Sequence, residues 1–485
     1  MGLRRASLGV ALTGALAASL TLGALAQGPG ALAQESAEPD ELPWQAFNRE
    51  GMLAAAAADW PTAEAAFRAA LEALADVGSA GLPALDKVDD DDGRVAAVAG
   101  NLAVVLLQQD ETEEARRLFE RALAIRRSVF GARDPAIADS LNNLAELERR
   151  TGRSERARTL HEAALRLRRE VLDEGHPDIA ESLNNLGVLL RDLGDIEAAA
   201  AHLGEAHGIR RERLGPTHQA TLESTGNLAA VALDMGDLAT ADSVLLAAIE
   251  ALPVAAAASG GSPALVLRQG IDVLLLEDET DRAVLLCEER LVEPLASTGK
   301  DGAEADRGPD PALADLVLAE LVAACARAFA EAGGEGRATT LLEQHLERLA
   351  ATGDAAPVVE AELRWGLAET AVVAGDLEAA EAHLGQVVSL LQAAEDARLA
   401  TALNNLGSIR FERGRPLEAS ADLETALDLL EAREGSVDPL LFRDVLANYA
   451  VVLRTLDRNA EALAVESQLI DLATDPAAIE PAAGD

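Results

Sequence analysis

Between residues 138 and 167 the apolar positions fall into two helical runs separated by a break. Leu141, Leu144 and Leu147 lie three apart, the spacing that gathers side chains on one helix face. Thr151-Gly152 then interrupts the run, since glycine accepts the backbone conformation that ends a helix. From Ser154 to Arg168 a second helix is expected, with Ala157, Leu160, His161, Ala164 and Leu165 on one face. The pattern predicts a helix hairpin whose apolar stripe cannot be buried alone. Neighbouring hairpins must cover it.

The hairpin returns every 42 residues. Asn101-Leu102-Ala103 becomes Asn143-Leu144-Ala145, Asn185-Leu186-Gly187 and Asn227-Leu228-Ala229. The same step carries Ala115 to Ala157, Ala199 and Ala241, and Gly152 to Gly194 and Gly236, with Asp110 in the first copy. A fixed period in this range marks a repeat array. Weaker copies are expected at 46–71, 267–291, 321–342, 363–384 and 445–469, and a strong one at 403–427, with Gly333, Gly375, Gly414, Asp278 and Asp457 at the turns. The chain therefore reads as about ten hairpins, arranged as an array over 44–295 (clearest over 96–252), an acidic loop at 296–311, a second array over 312–473 and a short acidic tail at 474–485.

Composition supports an all-α reading. Aromatic residues make up only 2% of the chain while 49% is hydrophobic, so small apolar residues and leucine must do the packing. The net charge of −42 repels phosphate backbones and makes nucleic acid a poor partner. Such a surface favours a soluble monomer and also suits high salt, which screens the self-repulsion.

The N-terminus reads as an address. Arg4 and Arg5 precede an uncharged run from Ala6 that ends in Ala24-Leu25-Ala26, with Ala31-Leu32-Ala33 as a second candidate cleavage site. This is the layout of a secretory signal peptide over 1–26, followed by a flexible leader over 27–43. An uncleaved membrane anchor is the alternative. With cleavage, the mature chain works outside the cytoplasm without inserting into a membrane.

The residues quoted above resemble the tetratricopeptide repeat family. The small residue late in the first helix is Ala145, Gly187, Ala229 or Gly407, the turn residue is Gly152, Gly194, Gly236, Gly375 or Gly414, and Ala157 with Ala164 supplies the small residues of the second helix. The family's aromatic positions are mostly replaced by Leu, Val or Ala. The stretch from Glu174 through His176-Pro177-Asp178 to Asn184-Asn185-Leu186-Gly187 is similar to the longer repeat of kinesin light chains. The resemblance implies a right-handed α-α superhelical solenoid that binds a protein or an extended peptide in a groove, as a scaffold or adaptor. A structural envelope-assembly component packed on a large partner is the second reading, and an enzyme with its site hidden in the insertions at 76–93 or 296–311 the third, disfavoured because both are too short for a catalytic domain.

The repeated asparagine is the candidate site. It sits about 100° round the helix from the buried leucine that follows it. Asn101, Asn143, Asn185 and Asn227 then form one ladder, and Asn405 and Asn448 a shorter one, with Asn142, Asn184 and Arg191 beside them. A carboxamide both donates and accepts, so such a row can hold an extended peptide backbone without reading its side chains. In kinesin-light-chain-like repeats this position makes such contacts, and the resemblance implies the same here. The alternative is that each Asn ties its helix to the next repeat. Glu146, Arg149, Arg150 and Arg191 give the groove mixed charge, and the overall acidity suggests a ligand with some positive character.

Other constellations carry less. Asp89 to Asp92 before Gly93 suggests a calcium loop, but Val88 and Ala99 stand where ligands are required. Cys287 and Cys325 fall on helices that neighbour each other in this family, so a disulfide is conceivable. Free buried thiols are the favoured reading. His202 and His207 are placed for different helix faces, His176 and His218 for helix starts, and His161 for a core slot. There is no phosphate loop, nucleophile elbow or His-Glu-x-x-His, so no enzyme, metal or cofactor is expected.

Overall fold

The computed structural model describes residues 42–57, 59–74, 93–254, 256–259, 261–293, 311–352, 356–432 and 439–474. The expected signal peptide, nearly all of the expected leader, the Asp89–Asp92 stretch, nearly all of 296–311 and the residues beyond 474 lie outside them. Among the described residues all regular structure is helical, and no helix is long and apolar enough to cross a membrane.

Among the described residues the α-helices pair into ten hairpins, and the chain separates into two units at Leu252. The N-terminal unit holds α1 (Pro43–Ala56) with α2 (Trp60–Leu74), α3 (Gly93–Gln108) with α4 (Thr112–Phe130), α5 (Pro135–Arg150) with α6 (Ser154–Val171), α7 (Pro177–Asp192) with α8 (Ile196–Leu214), and α9 (Gln219–Asp234) with α10 (Leu238–Ala251). The C-terminal unit holds α11 (Gly261–Leu276) with α12 (Thr280–Cys287), α13 (Pro311–Glu331) with α14 (Glu335–Thr352), α15 (Pro357–Val373) with α16 (Leu377–Ala393), α17 (Leu399–Glu412) with α18 (Pro416–Glu431), and α19 (Pro439–Thr455) with α20 (Asn459–Thr474). Within each unit successive hairpins stack as an α-α solenoid.

Local chemistry sets the helix ends. Asp134 Oδ1 accepts from the Ala136 amide at 2.8 Å, and the Nδ1 atoms of His176 and His218 accept from Asp178 and Ala220 at 3.2 Å. These contacts satisfy amide groups that a helix start leaves unpaired. The expected turn residues all take left-handed backbone, including Asp110, Asp278 and Asp457 at φ 61°, 59° and 58°. Aspartate is one of the few non-glycine residues that tolerates this region.

The small residue late in the first helix is a matter of space. A Cβ on Gly187 would lie 2.7 Å from Leu203 Cγ, and one on Gly407 would lie 3.0 Å from Leu423 Cγ. Glycine there lets the two helices of a hairpin close on each other.

A second periodic set was not read from the sequence. Arg126, Arg168 and Arg210 are also 42 residues apart, on α4, α6 and α8. Each donates to a carbonyl at the start of the next hairpin: Ala136 at 2.9 Å, Asp178 at 2.5 Å and Ala220 at 2.8 Å. Arg126 and Arg168 also donate to Ser140 Oγ and Ser182 Oγ. Arg168 is only 2% exposed and reaches Asp139 at 2.6 Å and Glu181 at 3.1 Å as well. These guanidinium groups, buried at Arg168 and Arg210 and partly buried at Arg126, join each hairpin to its successor.

The cysteines correct an expectation. Cys287 and Cys325 are not free thiols; they form a disulfide, with Cα atoms 5.6 Å apart. Cys287 ends α12 and Cys325 lies in α13, and both are fully buried, so the packing of successive hairpins brings them together.

Candidate functional site

A groove of about 600 Å³, open to solvent, lies across three successive hairpins of the N-terminal unit. α3 contributes Val104 and Leu107, with Phe119 of α4 beside them. From α5 come Asn142, Asn143, Glu146 and Arg149, and His161 of α6 stands behind Asn142. The far side is Glu181, Asn185 and Val188 of α7.

The asparagines divide into two kinds. Asn142 is buried, donates to Ser182 Oγ at 3.2 Å and lies 3.0 Å from His161 Nδ1. Burial pushes the His161 imidazole down to about 4, so at neutral pH it is uncharged and its Nδ1–H donates to the Asn142 carbonyl. Asn184 is fully buried and accepts from Asn227 Nδ2 at 3.0 Å. The C-terminal unit repeats this bond, with Asn448 Nδ2 donating to Asn404 Oδ1 at 3.0 Å. Asn101 donates to Asn48 Oδ1 at 3.3 Å. Each of these side chains is tied to a neighbouring hairpin, Asn184 and Asn404 through Oδ1 alone, their buried Nδ2 groups making no hydrogen bond among the described residues.

Asn143 and Asn185 are different. Both are half-buried, both line the groove, and neither side chain makes a hydrogen bond among the described residues. Asn405 also makes none, in the other unit and 9% exposed. The ladder thus reduces, in the N-terminal unit, to two unspent carboxamides on adjacent hairpins.

The charges around the groove are already matched. Arg149 donates to Glu146 at 2.9 Å and to Asp192 at 3.4 Å, and Arg150 donates to Glu146 at 3.0 Å. Arg191 is paired with Asp234 of the next hairpin and is not among the groove residues. Burial raises the Glu181 carboxyl above the usual range, opposed by the adjacent Arg168. No group of three or more His, Cys, Asp or Glu able to hold a metal occurs among the described residues.

Comparison with known proteins decides the family. The tetratricopeptide repeat model matches residues 94–170, 137–212, 178–253 and 359–432. Each window spans two of the hairpins described above. Residues 94–253 and 359–432 are tetratricopeptide repeats.

Several of the solved structures the chain is similar to are described as repeat proteins of this kind. A chain of nearly identical TPR-like repeats designated a kinesin light chain of Podosopora anserina is 20% identical, with 43% of this chain and 97% of that one covered and a TM-score of 0.38. A tetratricopeptide repeat protein from Parabacteroides merdae is 14% identical, with 73% and 99% covered and a TM-score of 0.38. Pseudomonas aeruginosa pilF is 20% identical, with 52% and 90% covered and a TM-score of 0.36. With every TM-score below 0.5, the assignment rests on the repeat match and the hairpins. No curated protein sequence matches the chain. The repeat fold is that of a protein-interaction scaffold.

Proposed function

We propose that the N-terminal unit binds an extended peptide segment of a partner protein across α3, α5 and α7, and that the chain acts as a scaffold rather than an enzyme. The observation that carries this reading is the pair of unspent carboxamides, Asn143 and Asn185, beside an apolar floor. An extended strand offers a backbone donor and acceptor at every residue. Amides on successive hairpins can engage it at intervals without dictating its side chains.

The place of action is outside the cytoplasm. The N-terminal signal layout supports this, and so does the Cys287–Cys325 bond, because disulfides persist in oxidising compartments and are rare in reducing ones.

The test is selection of a randomised peptide display library on the purified chain, with Asn143→Ala/Asn185→Ala as the counter-screen. Peptides that bind the wild type and are lost on the variant support the reading. Enrichment of the same peptides on both proteins removes it.

A further inference from the structure

We infer that the segment held in this groove is recognised by an uncharged aliphatic side chain seated between the two asparagines, and not by a charged residue or a chain terminus. The inference rests on the peptide-groove reading above and concerns what that groove selects.

Three observations carry it. First, the groove floor is apolar: Val104, Leu107 and Phe119 on one side face Val188 on the other. Second, every arginine nearby is already engaged. Arg149 and Arg150 share Glu146, Arg191 is held by Asp234, and Arg168 is buried among four acceptors. A ligand carboxylate, whether a side chain or a C-terminus, must break one of these pairs to find a cation.

Third, the acids are engaged as well. Glu146 receives two guanidinium groups and Glu181 one. A lysine or arginine of the ligand would have to compete with these arginines while losing its own hydration. A charge brought into such a place without a partner is strongly disfavoured. The expectation of a basic ligand, drawn from the overall acidity of the chain, therefore does not extend to this groove. The groove groups that make no hydrogen bond among the described residues are neutral: two carboxamides that suit a peptide backbone, and an apolar floor that suits an aliphatic side chain.

The experiment sequences the peptides enriched on the wild-type chain and synthesises the best of them with its anchor residue changed to Lys or Glu, and with its C-terminus free or amidated. The same library is also selected on Val188→Glu, which places an unpaired carboxylate at the groove wall. Val188 is only partly buried, so the fold should tolerate the change, and a helical circular dichroism melt checks this.

The expected results are an aliphatic residue at the anchor, a loss of about tenfold or more in affinity for either charged anchor, no dependence on the C-terminus, and a shift to Lys or Arg at the anchor on Val188→Glu. Enriched peptides with a charged anchor on the wild type, or tighter binding of the free-acid form, overturn the inference while leaving the peptide groove intact. So does undiminished binding of the aliphatic peptides to a folded Val188→Glu. Enrichment that ignores Asn143→Ala/Asn185→Ala overturns the groove reading itself.

Discussion

Asn227 donates its side-chain amide to Asn184 Oδ1, one hairpin back, at 3.0 Å, and Asn448 does the same to Asn404 in the other unit. The bond shows that the repeated asparagine has two uses. Where the preceding repeat offers an acceptor the amide closes the seam between hairpins. Where it does not, as at Asn143 and Asn185, the amide is left for something else.

The two uses predict opposite phenotypes. Asn227→Ala leaves a buried Asn184 acceptor unsatisfied and should cost about 1–3 kcal/mol of stability. Asn143→Ala and Asn185→Ala break no bond among the described residues and should change stability by less than about 0.5 kcal/mol. Denaturant midpoints of the three variants measure this. Equal destabilisation by all three would contradict the division.

Arg168 is a connector between α6 and α7. Arg168→Ala removes a buried cation and leaves the largely buried Glu181 without its partner, so it should destabilise the N-terminal unit by about 3–5 kcal/mol. Arg168→Lys should recover little of that, because one ammonium group cannot reproduce the guanidinium fork that serves Asp178, Ser182, Asp139 and Glu181 together. Urea unfolding of the two variants provides the comparison. Full rescue by lysine would show that charge alone matters there.

Much of this architecture is legible in the sequence, and the reasons for the exceptions are physical. The hairpins follow from helical periodicity, and the turns follow from Gly152 and its equivalents. Even the three aspartates at turn positions could be assigned, because aspartate tolerates left-handed backbone. The Arg126, Arg168 and Arg210 series has the same period as the asparagines, but an arginine in a chain rich in surface charge reads as solvated, and only packing shows it buried. The split of the asparagines was not readable because each one's fate depends on the residue opposite it in the neighbouring repeat. Asn142 finds His161, whereas the corresponding position opposite Asn184 is Leu203. The neighbouring helices of Cys287 and Cys325 could be anticipated, but whether the two thiols come within bonding distance depends on the register of α12 on α13, which repeat spacing does not fix.

The disulfide should contribute stability to the C-terminal unit. Closing a loop of sequence separation 38 constrains the unfolded chain by about 3–4 kcal/mol in the loop-entropy model. Reduction, or Cys287→Ala/Cys325→Ala, should lower the melting temperature. The same melt with and without a thiol reductant, plus thiol titration of the unfolded chain, tests this. One outcome that contradicts it is two reactive thiols in the non-reduced protein.

Two buried groups, His161 in one unit and Glu369 in the other, respond to pH in opposite senses. His161 is pushed by burial from 6.5 down to about 4, so the unfolded chain takes up its proton more readily. Its contribution is present at neutral pH and is lost as pH falls from about 6.5 toward 4. Glu369 lies on α15, its side chain 13% exposed and within 3.5 Å of Arg327. Burial pushes its carboxyl from 4.5 up to about 7, against the pull of Arg327. Here the folded state holds the proton more readily, and stability falls as pH rises from about 4.5 through 7. Amide hydrogen exchange on the whole chain, corrected for intrinsic rates, should show α6 losing protection relative to α15 as pH drops from about 7.5 to 5. Parallel changes in both helices would rule this out.

The central claim is that Asn143 and Asn185 hold a peptide. Its most direct test is a binding titration of one library-selected peptide against the wild type, Asn143→Ala/Asn185→Ala, and Asn405→Ala as a control in the other unit. Loss of two hydrogen bonds should weaken binding by about 1–3 kcal/mol, roughly five- to a hundredfold, with an unchanged melt and with Asn405→Ala equal to wild type. Undiminished affinity in the folded double variant would contradict the account.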